Sequence, residues 1–249
     1  MANGFDNLSR PGTFGHAEKF RFDCHPGLNC FGQCCRDISI FLTPYDVLRL
    51  RRSLGLSSGD FLRRYTAELD VPGSRFPLFY LKMNENDLKC PFVTPKGCSV
   101  YRERPWSCRM APLDMTGPGS FRIAFDREKC LGLNGEREWT PVEWMDSQEM
   151  SPYDTMEETF KELPRLIRFT GRQPLDRTLL KLFRLTCYDP DGFKDFILRH
   201  KFLIREAGLN PEDFMRSLKG DPALLNSATR WLINVSESEK TLKKIDKII

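Results

Sequence analysis

The sequence predicts an α+β fold, in which a small, irregular, cysteine-rich domain precedes a mainly α-helical C-terminal region. Eight of the nine cysteines lie before residue 131. From about residue 155 onward, apolar residues recur at spacings of three and four, which is typical of one buried helix face. Residues 79–83 and 121–125, which lie among the cysteines, have the aromatic and aliphatic composition of β-strands.

Two helices are predicted between the first cysteine group and the strand-like residues 79–83. Thr43 suits the N-cap of the first helix, Pro44 suits its first position, and the acidic Asp46 follows three residues after the cap. This helix should reach Gly55, and a second should begin near residue 57 or 58. In the C-terminal region, further helices are predicted near residues 174–188, 190–207, 211–219 and 222–247.

The eight N-terminal cysteines form two groups. The first group spans 12 residues and the second spans 41; together they are Cys24, Cys30, Cys34, Cys35, Cys90, Cys98, Cys108 and Cys130. Thiolates are soft, charged ligands, and sets of four usually hold zinc or an iron–sulfur cluster. The spacing therefore predicts a site for zinc or an iron–sulfur cluster, with ligands of the second group fastening the first loop to the rest of the fold.

The adjacent Cys34 and Cys35 bear on the number of centres. Neighbouring side chains of an extended segment point to opposite faces. Two neighbouring cysteines therefore serve two centres, or one centre and a core, more easily than a single centre. Eight thiols allow two four-sulfur sites, or one such site with spare thiols.

Redox or disulfide chemistry and simple packing are the alternative explanations of the cysteines. Four thiols within 12 residues fit simple packing poorly, and no secretory signal favours a disulfide framework. Cys187 stands alone in a predicted helix and is expected in the core. His25 follows Cys24 and is a further candidate ligand, which eight cysteines make unnecessary.

Three arginines flank two of the cysteines closely. Four thiolates around a divalent zinc ion leave an excess of negative charge, which nearby cations and backbone N–H groups must offset. Arg102, Arg104 and Arg109 are candidates for this role beside Cys98 and Cys108. A solvated charged turn is the alternative interpretation of the same residues.

Composition and hydropathy limit where the chain resides and what it contacts. No segment has 18 consecutive apolar residues, and the N-terminal stretch MANGFDNLSRPGTFGH lacks the apolar core of a secretory signal. We therefore expect a cytoplasmic protein with no membrane contact. The net charge of +4 is mild and spread along the chain, so no nucleic-acid partner is predicted. Nucleotide-binding glycine motifs, the Gly-x-Ser-x-Gly elbow and the radical-SAM cysteine spacing are missing, and no catalytic base or nucleophile can be named.

The changes in composition divide the chain into four segments. Residues 1–21 are polar and Gly-rich and are predicted to be disordered. Residues 22–131 form the predicted cysteine-cluster metal-binding domain. Residues 132–154, which are rich in glycine and proline, are predicted to be a linker, and residues 155–249 form the helical region.

A combined motif joins the two cysteine groups. Residues 97–109 read Gly-Cys-Ser-Val-Tyr-Arg-Glu-Arg-Pro-Trp-Ser-Cys-Arg, and they follow Cys-Pro-Phe at 90–92 and the Cys30-x3-Cys34-Cys35 run. This combination resembles the YkgJ-type cysteine-cluster family, also called the CxxCxxCC family, over roughly residues 22–131. The one departure is Ala111, which stands where an aromatic residue often precedes the next proline.

The resemblance implies a zinc- or iron-chelating domain. Some larger relatives resemble flagellin lysine methylases with an iron–sulfur centre, although this chain has no methyl-donor motif. The first functional hypothesis is a site for zinc or iron–sulfur that mainly stabilises the fold, with a protein partner bound through the helical region. The second is an iron–sulfur enzyme or electron carrier, which needs an exposed cluster beside a pocket. The third is metal chelation or transfer, which needs accessible thiolates.

Overall fold

The computed structural model describes residues 12–70 and 75–249 of the chain. Within these residues the α-helices are Pro44–Ser53, Ser58–Tyr65, Trp106–Met110, Pro141–Ser147, Ser151–Leu166, Gln173–Phe183, Pro190–Arg199, Phe202–Glu206, Pro211–Ser217, Asp221–Ser236 and Glu239–Asp246. A π-helical turn, Arg184–Tyr188, continues the helix that ends at Phe183. No helix in the described part of the chain is both long enough and apolar enough to cross a membrane.

Among the described residues, β-strands form only short antiparallel pairings, and all of them lie before residue 140. The two three-stranded sheets run Thr13–Gly15, Ser120–Ile123, Leu113–Gly117 and Phe41–Leu42, Leu78–Leu81, Thr66–Leu69 in spatial order. The two two-stranded sheets pair Glu138–Trp139 with Phe20–Arg21 and Val93–Thr94 with Gly97–Cys98. The α+β fold, with a cysteine-rich N-terminal part and a helical C-terminal region, is therefore confirmed.

The first helix starts where its capping residues predict. The Thr43 side chain accepts a hydrogen bond from the Asp46 backbone N–H, and the Asp46 carboxylate accepts one from the Thr43 backbone N–H at 2.9 Å. This reciprocal pair satisfies two N–H groups that would otherwise lack partners at the helix start. Ser57 caps the next helix by accepting from the Asp60 backbone N–H.

Two long helices predicted from periodicity are each interrupted. The segment 190–207 forms two helices because the backbone of His200 leaves the helical region, with ψ at +47°. The segment 222–247 is divided near Ser238, whose side chain accepts from the Thr241 backbone N–H and so begins a new helix. Apolar periodicity continues across both breaks, and it therefore cannot reveal them.

The two segments that flank the predicted cysteine domain contain more regular secondary structure than their composition indicates. Residues 1–11 lie outside the described residues, but Thr13–Gly15 and Phe20–Arg21 are strands within the segment predicted to be disordered. They are ordered because Phe20 is buried and Phe14 packs against the same core. In the segment 132–154, which is predicted to be a linker, helices begin at Pro141 and Ser151.

Two main apolar cores flank the cysteines. The larger core contains the C-terminal helices, but it also includes Val47 and Phe61 from the two helices before the second cysteine group. The smaller core lies around Phe121 and Trp144 near the N-terminal strands. The cysteine segments run between these cores and contact both, so their positions depend on elements from the whole described chain.

A buried carboxyl group couples the first helix to the helical region. Glu157, which is 3% exposed, accepts a hydrogen bond from the Tyr45 backbone N–H at 3.4 Å. The pKa of the Glu157 carboxyl is raised to about 7, mainly by burial. The negative charge of the nearby Asp46 contributes to this increase, and Lys161 acts in the opposite direction. Because this pKa lies above the unfolded value of about 4.3, folding favours the protonated form. The stabilising contribution of Glu157 is therefore fully present below about pH 4.3 and is lost as the pH rises through about 7.

We predict that Glu157→Gln stabilises the protein at about pH 8, on the order of 2–3 kcal/mol, and has little effect near pH 5. Glutamine keeps an oxygen for the Tyr45 N–H but carries no charge. Thermal unfolding of both variants across this pH range measures the effect, with the exposed neighbour Glu158→Gln as the control. An equal change for the two variants, or no dependence on pH, would contradict the assignment.

Candidate metal centre

The first cysteine group lies on a loop of consecutive turns between residues 26 and 35. Cys24 and Cys34 are exposed, while Cys30 and Cys35 are partly buried. All nine cysteines of the chain are free thiols. The loop has little regular structure, so its position depends on contacts with the second cysteine group and on residues near Cys130.

A backbone junction joins the loop to the second group. The Cys90 N–H donates to the Cys35 carbonyl at 2.8 Å, and the Asp37 N–H donates to the Leu88 carbonyl at 2.8 Å. Arg36 and the residue preceding Cys90 form the β-bridge between these bonds. Both Asp37 and Leu88 have positive φ, at 50° and 55°. For the branched, exposed Leu88 this conformation is strained, and such strain is typical of sites with a functional constraint.

A tight hairpin brings Cys98 to the same junction. Val93 pairs with Cys98 across the hairpin, and the Val93 N–H donates to the Cys90 carbonyl at 3.1 Å. Gly97 has φ at +104°, and a Cβ atom there would lie 3.1 Å from the ring of Phe31 in the first loop. Glycine is therefore required both by the turn and by the close approach of the loop.

Cys108 is held by the short helix Trp106–Met110. The buried carboxylate of Asp46 accepts from the Trp106 backbone N–H at 2.8 Å, which fixes the start of this helix against the first long helix. The indole N–H of Trp106 donates to Asp154 at 3.0 Å. Burial raises the pKa of the Asp46 carboxyl to about 6, against the effect of its hydrogen bonds with Thr43 and Trp106.

Four cysteines form what we call the inner group, because all pack against the larger apolar core. They are Cys35, Cys90, Cys98 and Cys108. Burial raises the pKa of the Cys108 thiol to about 12, and the negative charges of Cys90, Asp46 and Cys98 add to this effect. The pKa of the Cys35 thiol is raised by its hydrogen bond with Cys34, by burial, and by Cys90 and Cys108. The thiols of the inner group therefore influence one another electrostatically.

The remaining four cysteines form the outer group, which lies nearer to solvent and to the smaller core. They are Cys24, Cys30, Cys34 and Cys130. The Asp23 N–H donates to the Gly132 carbonyl at 2.9 Å, which places Cys24 beside Cys130. A Cβ atom on Gly135 would lie 2.7 Å from that of Asp23, so this approach requires glycine. Burial raises the pKa of the Cys24 thiol to about 11, with added effects from Cys34, Cys130 and Cys30.

The two groups meet at the adjacent Cys34 and Cys35. A hydrogen bond between the two side chains lowers the pKa of Cys34 to about 7 and raises that of Cys35. The other thiol neighbours of Cys35 belong to the inner group, whereas Cys34 acts on Cys24 and Cys130 of the outer group.

Nearby backbone N–H groups act on the pKa of several cysteine thiols. Burial raises the pKa of the Cys90 thiol, while the N–H groups of Phe92 and Val93 lower it. The pKa of Cys98 is likewise raised by burial and lowered by the Val100 N–H, and that of Cys130 is raised by burial and lowered mainly by the Leu133 N–H. Hydrogen bonds to sulfur favour the thiolate, which is the form that ligates metal.

The three arginines near Cys98 and Cys108 have different surroundings. Arg104 is buried, and its positive charge lowers the pKa of both thiols. Arg109 is also buried, but its guanidinium donates to the carbonyls of Arg104, Arg102 and Gln148, so it holds the motif loop together. The Arg102 side chain is exposed. Of the three, Arg104 is thus the one that can offset thiolate charge directly.

The candidates outside the two groups have other environments. Cys187 is fully buried in the helical core. His25 is exposed, and its Nδ1 accepts from the Gly27 N–H at 3.2 Å within the loop. The sequence indicated only the capping role of Asp46. Its carboxylate also accepts from the Trp106 N–H, 60 residues later in the chain, and residue spacing cannot reveal such a contact. Two surface cavities are lined by residues between 181 and 249, and neither lining includes a cysteine.

The donor set fits zinc or an iron–sulfur cluster, because each group supplies four sulfur atoms and no oxygen ligand is needed. The side chains themselves are not yet arranged as a ligand shell. Among the described residues, no three or more His, Cys, Asp or Glu side chains stand where they could hold a metal ion. A cysteine Sγ moves with χ1 alone, so the fixed backbone leaves each thiol three staggered positions. Metal binding therefore requires the thiols of a group to turn toward one another.

The comparisons with known proteins agree with the chemistry of the donor set. Residues 23–131 match the sequence model of the CxxCxxCC family, which is described as "Putative zinc- or iron-chelating domain". The matched segment contains both cysteine groups. No curated protein and no solved structure matches the chain. The resemblance seen in the cysteine motifs is thus confirmed over residues 23–131, where the chain is similar to the CxxCxxCC family.

Proposed function

We propose that the cysteine domain binds zinc or an iron–sulfur cluster through its eight N-terminal cysteine thiolates, and that the metal mainly holds the fold together. The observation that carries this proposal is the convergence of two distant stretches. The backbone bond between Cys35 and Cys90, and that between Asp23 and Gly132, connect the first cysteine loop to both parts of the second group. The thiols on these joined segments are free and therefore available as ligands once they turn toward one another.

The first cysteine loop has no regular secondary structure, and this supports a structural role for the metal. Between residues 24 and 35 the described chain has only turns and bends, and none of these residues is fully buried. Ordering a segment costs conformational entropy, on the order of 1–2 kcal/mol per residue. Few apolar contacts are present to offset this cost, so metal–sulfur bonds would supply the missing free energy, as they do in small metal-dependent domains.

The surroundings of the thiols suit a charged metal–thiolate centre. When zinc is bound by four thiolates, it neutralises two of the four negative charges and fixes the geometry. The buried Arg104 and the backbone N–H groups near Cys90, Cys98 and Cys130 offset the remaining charge. These groups are in place in the fold itself, so they oppose the effect of burial, which raises the pKa of these thiols.

An iron–sulfur cluster is the alternative occupant, and an electron carrier or enzyme the alternative role. The same four-thiolate sets would hold such a cluster, and its colour distinguishes it from zinc. A structural role is favoured because two surface cavities are lined by residues between 181 and 249, and neither lining includes any of the eight cysteines. We also propose that a protein partner docks on the helical region, where Leu198 and Phe202 are 37% and 48% exposed.

We predict that Cys108→Ser lowers the metal content of the purified protein, while Cys187→Ser leaves it unchanged. Cys187 is fully buried and Cys108 is partly buried, but only Cys108 belongs to one of the two thiol groups. Elemental analysis of zinc and iron per chain, on protein prepared without oxygen, measures the difference. Wild-type protein that carries neither metal, or two variants with equal metal content, would refute the ligand assignment.

We predict that Arg104→Gln weakens metal affinity by about 10- to 100-fold, the range found when groups that support metal ligands are removed. The charge of the buried Arg104 guanidinium lowers the pKa of Cys98 and Cys108, and glutamine cannot offset thiolate charge. Competition with a zinc-binding dye gives the affinity of each variant.

The exposed Arg102→Gln serves as the matched control for that measurement and should bind metal as the wild type does. Because Arg104 also donates to the Tyr101 carbonyl at 2.6 Å, Arg104→Lys tests charge apart from this contact. Partial recovery of affinity by lysine supports the electrostatic role. Equal affinities for Arg104→Gln and Arg102→Gln would rule it out.

A further inference from the structure

The backbone around the cysteines separates them into two sets before any metal is considered. The inner group is fixed by the Cys35–Cys90 junction, the hairpin at Cys98 and the short helix of Cys108, and all four residues pack on the larger core. The outer group is fixed by the approach of residues 22–24 to residues 130–135, beside the smaller core. The two sets share no residue and contain four thiols each.

We propose that the cysteines form two separate four-thiolate centres of unequal lability, an inner centre whose metal is retained and an outer centre whose metal exchanges with ligands from solution. This inference rests on the proposed metal binding and goes beyond it. The ligand at each centre is a thiophilic ion, with zinc as the probe considered below.

The adjacent Cys34 and Cys35 support two centres rather than one. The two residues are neighbours in the chain, yet their further surroundings are different: Cys35 packs on the larger core, whereas Cys34 is exposed. Cys35 continues through its backbone to Cys90, whereas Cys34 is exposed and faces Cys24 and Cys130. A pair of neighbouring residues thus supplies one ligand to each set, which places the two centres side by side.

The difference in lability follows from burial. In the inner group, Cys90 is 7% exposed and the other three thiols are partly buried against apolar side chains. In the outer group, Cys24 and Cys34 are exposed. Metal exchange between thiolates requires an incoming ligand to reach the metal before an old ligand leaves, and only the outer group offers such access. Loss of the inner metal would also open contacts with the larger core.

Stepwise removal of zinc tests the inference on the full-length chain. Reduced protein is loaded with zinc, its zinc content is measured, and a chromophoric chelator is then added in excess while release and circular dichroism are followed. We expect about two zinc ions per chain and two phases of release, with the fast phase at least about tenfold faster than the slow one. Helical signal should remain through the fast phase and fall only in the slow phase.

Paired substitutions assign each phase. Cys24→Ser with Cys130→Ser should leave a folded protein with about one zinc ion and only the slow phase. Cys90→Ser with Cys98→Ser removes the inner centre and is expected to lose the slow phase together with helical signal. The outer variant keeps the test decisive even where the inner variant fails to fold.

The outcomes separate this inference from the proposed function. Wild-type protein without bound metal would refute metal binding itself. One zinc ion per chain, two ions released in a single phase, or loss of both ions in the outer variant would refute two unequal centres while metal binding stands. Fast release that disappears only in the inner variant would reverse the assignment and equally overturn the proposal.

Discussion

The described structure of the cysteine domain depends on one backbone junction, where residues 35–37 run antiparallel to residues 88–90. Two hydrogen bonds of 2.8 Å, Cys90 to Cys35 and Asp37 to Leu88, bring together stretches that are more than 50 residues apart. The left-handed backbone of Leu88 shows that this junction is maintained against local preference. At this junction Cys35 is bonded to Cys90 and packs on the larger core, whereas Cys34 remains exposed.

The surrounding protein supports the junction from both cores. Asp46 connects the first long helix to the helix of Cys108, and Tyr153 donates to the carbonyl of Arg104 at 3.1 Å. Arg109 donates to the carbonyls of Arg102 and Arg104 in the loop before the Cys108 helix and to the Gln148 carbonyl. These buried polar contacts orient the motif without contributing a ligand. They explain why Arg104 can be close to the thiols while its neighbour Arg109 is occupied by the backbone.

Much of the fold could be predicted from local patterns. The capping box at Thr43 gives the first helix its starting point, and apolar spacing gives the C-terminal helices their approximate positions. The breaks at His200 and Ser238 could not be predicted, because the apolar face continues through them. The strand at Thr13–Gly15 was also missed, since it is ordered by pairing with a strand about 107 residues later.

Sequence reasoning named the candidate cysteine ligands but not the division that we propose for them. Spacing alone places Cys34 and Cys35 in one run, and only the long-range contacts of each residue separate them. The same limit applies to Asp46, whose role beside Trp106 arises from tertiary structure. Composition indicated a change between a cysteine-rich and a helical part, yet Val47 and Phe61 pack in the same core as the C-terminal helices. The division into domains therefore stays a prediction.

The central claim is that sulfur atoms from both cysteine stretches bind the metal. X-ray absorption spectroscopy at the metal edge of the loaded full-length protein measures the ligand type directly. For zinc, the account predicts a first shell of about four sulfur atoms near 2.3 Å. A first shell of mainly nitrogen or oxygen atoms near 2.0–2.1 Å would contradict it.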